Sequence, residues 1–398
     1  PRALICLMAI CANLDVPGGN IQANEPGILS LGKFVRADLL PSKRTEMIHA
    51  YHDTIPKLMT VPPALFRKAV LEGIPYPVKA AYVQCANPML AYADSRQTHA
   101  ALMKLDFLAV SEIFMTPTAA LADIVLPAAT HFEFNDIGHY GLGHGYILAR
   151  PKIVDAPEEC WPDIKILNEL GKSLCPAAHW YEDYNDILET LLAPSGLDFG
   201  QFAEQGYLKG SDQFKKYNVS GFKTPSGKVE LSLSRAAKLK VSPLPDFNGY
   251  PVPEDPEYPL VLTSAKSRYY LHSSYRWLEK LRKKLPHPQA LIHPETAADC
   301  GIQNNDEIII ETPHGRIIQV AHLTEAVAPR VIYAAYGWWF PEEKPEALYK
   351  WDRSNFNILT ATDNLGREFG TPNLKGINCR IRKVRGEDKL SNNSISWR

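Results

Sequence analysis

The feature that most limits the fold is a rhythm of short apolar segments and helical patterns over residues 78–127. VKAAYVQC (78–85) is short and apolar, and it ends at Asn87-Pro88. A helical pattern follows across about 94–104. LDFLAVSE (105–112) is the next apolar run. FMTPT then turns the chain, residues 118–122 form a short helical piece, and IVLP closes the series. Runs this short with turn signals at their ends read as buried strands. Parallel strands need a crossover, so strand–helix–strand at this spacing implies a parallel sheet of Rossmann type. Open sheets of this kind bind ligands beyond the carboxyl ends of their strands. That rule draws attention to Asn87, Ser111, Glu112, Thr116 and Thr118, because all five fall at such ends. Glu112 suits the N–H edge of a guanine-type base. Thr116 and Thr118 suit either a phosphate or the capping of the turn, and Asp123 suits a backbone hydrogen bond.

A different pattern begins after a proline-dense stretch, PLPDFNGYPVPEDPEYP (243–259), which reads as a linker or draped connection. YPLVLTSA (258–265) is a strand, HPETAADCGI (293–302) a short helix, and residues 304–335 give three strands with turns at TPHG and TEAVAP. This sequence of elements describes a small β-barrel with a helix across one opening. Between the two patterns, WPDIKILNELGKSL (161–174) has apolar residues at helical spacing, with Pro162 and Asp163 as start signals. Residues 134–160 read as a loop rich in Gly and His. TPSGKVELS (224–232) reads as a turn followed by a strand.

The first residues, PRALICLMAICA, are apolar nearly all round, as in a fully buried helix. They are far short of a bilayer span and lack a signal-peptide cleavage site. This start implies a fold entered part-way, with a segment upstream of Pro1. Any targeting signal would lie there, so the reading favours the cytoplasm slightly and keeps the periplasm as the alternative. The 398 residues carry a net charge of −1, so composition gives no reason to expect a nucleic-acid or anionic-membrane partner. Seven scattered cysteines without a CxxC exclude a disulfide framework or an iron–sulfur motif within this stretch, and they read as buried core thiols. Phosphate-loop, dinucleotide-fingerprint, HExxH and GxSxG motifs are all absent. The histidines form no zinc pattern. His139 and His144, in HYGLGH, are candidates for lining a cleft, where imidazole can move protons near neutral pH.

Two further clusters are rich in donors. TSAKSRYYLHSS (263–274) places Thr263, Ser264, Lys266, Arg268, His272 and Ser273 in one loop after a strand. NILTATDNLGREFGTPNLKG (357–376) contributes Asn357, Gly370 and Lys375. Such donor density suits a polyanion. Together with the strand ends, it suggests one extended ligand held between two domains.

These segments jointly resemble the molybdopterin oxidoreductase superfamily of dimethyl sulfoxide reductase type. The resemblance rests on ALADIVLPAATHFE preceded by VQCANP and SEIFMTPT, on LDVPGGN (14–20), on HPETAADCGIQNNDEIIIETPHG, and on N-x-L-T with GTPNLKG. It covers essentially residues 1–385. It implies an α/β fold with a partial Rossmann-like domain (1–150), a helical and mixed connecting region (151–250), a C-terminal double-psi β-barrel domain (251–385) and a polar tail (386–398). It also implies two molybdopterin guanine dinucleotides around molybdenum or tungsten. Asn87, Ser111, Glu112 and Asp163 match positions that hold a guanosine end. Thr263, Ser264, His272, Ser273, Asn357 and Lys375 match positions that contact pterins and phosphates, with Thr116 and Lys266 as added candidates. The family's metal ligand and [4Fe–4S] motif lie upstream of this stretch. The resemblance therefore implies a missing N-terminal half or subunit as partner, together with an electron-transfer iron–sulfur subunit and a small-molecule substrate. FNDIGHYGLGHGYILAR departs from the family's usual Gly-Arg segment, which leaves the substrate open. Two-electron chemistry with oxygen-atom transfer is typical of the family. The branches that look nearest are acetylene hydratase, which adds water at tungsten, and thiosulfate or polysulfide reductase. A metal-free vestigial module of a respiratory complex is the reading from another class.

Overall fold

The computed structural model describes residues 2–21, 23–36, 48, 61–234, 236–239, 241–245, 255–363, 365, 371–386 and 388. Its strands are β1 (Ala80–Gln84), β2 (Phe107–Glu112), β3 (Ile124–Pro127), β4 (Asp136–Gly138), β5 (Tyr146–Arg150), β6 (Tyr207–Lys209), β7 (Leu260–Ala265), β8 (Gln289–Ile292), β9 (Glu307–Thr312), β10 (Gly315–Leu323), β11 (Val331–Ala335) and β12 (Ile377–Lys383). The chain divides into two compact units, each drawn from two stretches: residues 1–42 with 127–248, and residues 43–126 with 249–398.

The second unit contains both patterns read from the sequence. β1 and β2 pair in parallel from Ala80↔Phe107 to Gln84↔Ser111, and β3 completes a three-stranded sheet. The crossover helix, Ser95–Lys104, begins where Asp94 accepts a hydrogen bond from Gln97 N–H at 3.2 Å. It buries Thr98, Ala101 and Leu102. Asp123 takes the backbone role expected of it, accepting from Leu108 N–H at 2.7 Å. The other six strands close a barrel in the order β10-β8-β11-β7-β12-β9. β10–β8 and β11–β7 are parallel, and the remaining pairs are antiparallel. Period-two alternation turns Leu260, Leu262, Ile308, Ile310, Ile332, Ala334, Cys379 and Ile381 into one apolar core. Burial pushes the Cys379 thiol up to about 12. The helix Pro294–Asp299 follows β8, as expected.

The first unit differs from the reading in three places. Residues 134–160 are not a plain loop. β4, β5 and β6 form an antiparallel sheet, since Gly141, Gly143 and Gly145 take positive φ and let the chain reverse between β4 and β5. Ile137 and Ile147 then face Ile187, Leu188, Leu191, Leu192, Phe199 and Phe202 on the helices Asn185–Leu192 and Phe199–Gln205. The strand expected within 224–232 does not form. Local hydrogen bonds outcompete a ladder: Thr224 Oγ1 donates to Lys228 O at 2.6 Å, and Glu230 accepts from Ser226 N–H at 3.1 Å. Finally, the apolar helix Arg2–Ile10 is not buried. Leu4, Ile5, Leu7 and Ile10 are all more than half exposed. An apolar pattern predicts burial only where a second element covers it, and among the described residues none does.

Cys6, Cys11, Cys160, Cys175, Cys300 and Cys379 are free thiols. Cys379 is buried, but Cys11, Cys85 and Cys175 are exposed, so the buried-thiol expectation fails for these three, which sit at helix and strand ends rather than inside. Among the described residues, no helix is long and apolar enough to cross a membrane.

Candidate functional site

The parallel register places Gln84 beside Ser111, so β1 and β2 end together at one edge of the sheet. Past β1, Cys85 adopts φ +52 and turns the chain into Asn87, which precedes the short helix Pro88–Ala91. Asn87 is buried and held at both ends of its amide. Its Oδ1 accepts from Thr118 Oγ1 at 2.6 Å, and its Nδ2 donates to Ser273 Oγ at 3.4 Å. Thr118, fully buried, also accepts from Met89 N–H at 3.2 Å. Thr116 accepts from Ala119 N–H at 3.2 Å, so it caps the 3-10 turn Ala119–Leu121. Ser111 is buried at the same edge, and Glu112 takes Ile113 N–H on Oε1 at 2.9 Å.

Ser273 belongs to the loop after β7. Thr263 and Ser264 are the last but two and last but one residues of that strand, paired with Tyr333 and Ala334 on β11. Beyond them Lys266 and His272 are exposed. His272 has φ +50, and its ring meets Tyr336 edge-on at 5.4 Å. Trp339 Nε1 donates to Ser273 O at 2.9 Å. Beneath this loop lies Arg276, only 2% exposed. Its guanidinium sits in the corner formed by the edge-to-face rings of Tyr270 and Trp338, 3.9 and 4.0 Å from the ring centres. Burial pulls its pKa down to about 9, so it remains charged at neutral pH.

Asn357 is also fixed. Its amide donates to Leu90 O at 2.8 Å, and Asn355 beside it donates to Met89 O at 3.0 Å and Ser95 Oγ at 2.9 Å. Thr360 then accepts from Asp94 N–H at 3.0 Å. Arg67, buried on the helix Pro63–Glu72, donates to Ala93 O, Thr98 and Thr362. The N-x-L-T segment is thereby tied to the residues that follow β1. Lys375 is exposed, its own N–H bonded to Asn373 at 3.3 Å. Gly370 lies outside the described residues.

Asn87, Ser111, Glu112, Thr116, Thr263, Ser264, Lys266, His272, Ser273, Asn357 and Lys375 thus all belong to the second unit. Three of the remaining candidates belong to the first. Asp163 opens the helix Asp163–Leu174 behind Pro162. His139 and His144 flank the β4–β5 turn with ring centres 5.2 Å apart, and Tyr146 packs 5.2 Å from His139. Buried His139 Nδ1 has no hydrogen-bond partner.

Sequence reasoning missed Arg276, Arg67, Asn355 and Trp339. An arginine among aromatics in a loop carries no periodic signal, and only the doublet Trp338-Trp339 after a glycine hinted at a packed platform. The second unit offers exposed cations, buried amides and hydroxyls, and the Glu112 carboxylate at the end of β2. This donor set fits a phosphate-bearing dinucleotide with a guanine-type base. Among the described residues, no group of three His, Cys, Asp or Glu side chains is placed to hold a metal ion.

Two family models match the chain. Residues 2–173 match the molybdopterin oxidoreductase family, and residues 260–378 match the molydopterin dinucleotide binding domain. The chain belongs to the molybdopterin oxidoreductase superfamily. It is 31% identical over 351 residues to acetylene hydratase of Syntrophotalea acetylenica, covering 84% of this chain and 48% of that protein. It is 25% identical over 489 residues to dopamine dehydroxylase of Eggerthella lenta, covering 99% and 48%. The solved structure of acetylene hydratase from Pelobacter acetylenicus superposes with a TM-score of 0.83 at 26% identity, covering 91% of this chain and 55% of that one. The chain spans about half the length of the curated relatives it matches.

Proposed function

We propose that this chain is the dinucleotide-holding C-terminal part, or a subunit, of a molybdenum or tungsten bis-molybdopterin guanine dinucleotide oxidoreductase. One observation carries the reading. The hydrogen-bonded series Thr118–Asn87–Ser273 joins the strand-end edge of the parallel sheet to the donor loop of the barrel within one unit. Donors from both family segments are therefore held together. In this reading Glu112 and Ser111 receive the guanosine end of one dinucleotide. Ser264, His272, Ser273, Lys266 and Lys375 offer donors to pterin and phosphate groups. The cofactor, when bound, supplies two-electron chemistry at its metal, with oxygen-atom transfer as the family's typical outcome. These residues hold anionic groups and keep the donors from competing with water. The barrel is of the double-psi kind. The metal ligand and a [4Fe–4S] cluster reside on a further segment or subunit, and an iron–sulfur partner delivers electrons. Within the first unit, Asp163 is the candidate for a guanosine contact, and His139 and His144 are the candidates for lining a cleft.

Lys375→Ala and His272→Ala should each lower the pterin recovered per chain, because each removes a donor to an anion. Unchanged pterin content in both variants would count against the assignment. A second reading, non-redox hydration at tungsten, is favoured by the similarity to acetylene hydratases in both sequence and structure. A reduced-dye assay with candidate acceptors separates the two. Dye oxidation supports the oxidoreductase, whereas hydration of a carbon–carbon triple bond without dye turnover supports the hydratase.

A further inference from the structure

Arg276 is built into the barrel unit in a way the cofactor reading does not use. Its Nη2, which has two N–H bonds, lies within reach of three carbonyls, so at least one bond is shared: His272 O at 3.3 Å, Tyr336 O at 3.4 Å and Gly337 O at 3.3 Å. The first belongs to the donor loop and the other two to the segment beneath it. The contact between the two segments is tight. A Cβ on Gly337 would come within 2.7 Å of the His272 carbonyl and 3.0 Å of Ser273 N. Nε and Nη1 of Arg276 are buried without a hydrogen-bond partner, so the charge is carried by carbonyl dipoles and two ring faces.

We infer that Arg276 is a positioning residue that sets the His272–Ser273 loop against residues 336–337, and so fixes the donors this loop presents. The inference rests on the dinucleotide reading for its functional consequence. Arg276 touches no ligand itself. It acts through His272, whose left-handed backbone and edge-on contact with Tyr336 depend on the carbonyls Arg276 gathers. Lysine cannot replace it, because an ammonium lacks the flat, delocalised group that lies against both aromatic rings while its N–H bonds reach the carbonyls.

The test compares wild type, Arg276→Ala, Arg276→Lys and Gly337→Ala, each in the protein as isolated with its cofactor. Pterin loss on gel filtration should quicken by roughly 10- to 100-fold in all three variants, the range over which supporting partners act in ligand sites. Methylguanidinium should restore retention in Arg276→Ala but not in Gly337→Ala, which a purely global loss of stability would not predict. Wild-type retention in the folded variants, or no rescue in Arg276→Ala, would overturn the inference. If Arg276→Ala does not fold, Gly337→Ala decides by the same readout. Amide exchange at Ser274, whose N–H bonds Leu271 O at 2.9 Å, reads the loop without any cofactor. Faster exchange in Arg276→Ala with no pterin in wild type would sink the dinucleotide reading and leave the positioning role standing. Unchanged exchange would refute the positioning role directly.

Discussion

Replacing Thr118 with valine isolates the hydrogen-bonded series on which the site depends. Valine keeps the volume and removes only the hydroxyl. Two partners are then stranded: Asn87 Oδ1, which loses a donor at 2.6 Å, and Met89 N–H, which loses its acceptor at 3.2 Å. Thr118 is fully buried and Asn87 only 8% exposed, so water cannot readily take its place. Each stranded group costs about 1–3 kcal/mol. Because Asn87 keeps slight access to solvent, the total should be about 2–4 kcal/mol. Native-state hydrogen exchange at Met89 reads this locally. At about 1.4 kcal/mol per factor of ten, exchange should accelerate by roughly 30- to 1000-fold. Asn87 would also be freed to turn its amide away from Ser273, so cofactor retention should fall with it. Exchange at Met89 within twofold of wild type would refute the reasoning, since it would mean that the Thr118 hydroxyl carries no weight.

Other outcomes follow from the same geometry. Gly210→Ala places a Cβ 1.9 Å from Asn24 O, a backbone atom that cannot step aside, and should destabilise the first unit by about 1–3 kcal/mol or more in denaturant unfolding. Asp388 accepts from Arg382 twice at 2.7 Å and from Arg385 N–H at 2.7 Å, which holds its carboxyl well below the usual carboxylate range. A folded pKa below the unfolded one, about 3.9, means that its contribution is present above pH 4 and is lost as pH falls through the folded value. Asp388→Asn should therefore narrow the stability difference between neutral and strongly acidic pH in melting curves, and an unchanged difference would contradict this.

The stretch FMTPTAALADIVLP shows what the sequence carried and what it withheld. Its apolar spacing and turn residues were enough to place the 3-10 piece, β3 and the cap at Thr116, because each is local. Periodicity likewise marked β7, β9, β10 and β11, but not the four-residue β8. It could not show that Thr118 reaches Asn87, 31 residues away, nor that Asn87 reaches Ser273, 186 residues away. Arg276 was illegible for a related reason. A buried arginine is recognised by what surrounds it, and Tyr336, Gly337 and Trp338 come 60 and more residues later. The Gly-His stretch misled in the other direction. Glycines that read as loop formers serve as the reversal of the β4–β5 hairpin, whose strands are only three and five residues long. Pattern alone also overstated the burial of Arg2–Ile10, because an all-round apolar run speaks of a helix and not of its neighbours.

The most direct test of the central claim is a stoichiometry on the purified protein in its native assembly. Metal analysis is combined with acid release of guanine nucleotide and fluorescence of the oxidised pterin. The account predicts molybdenum or tungsten, with two pterins and two guanine nucleotides for each metal. Protein that is folded but free of metal, pterin and guanine nucleotide would contradict it.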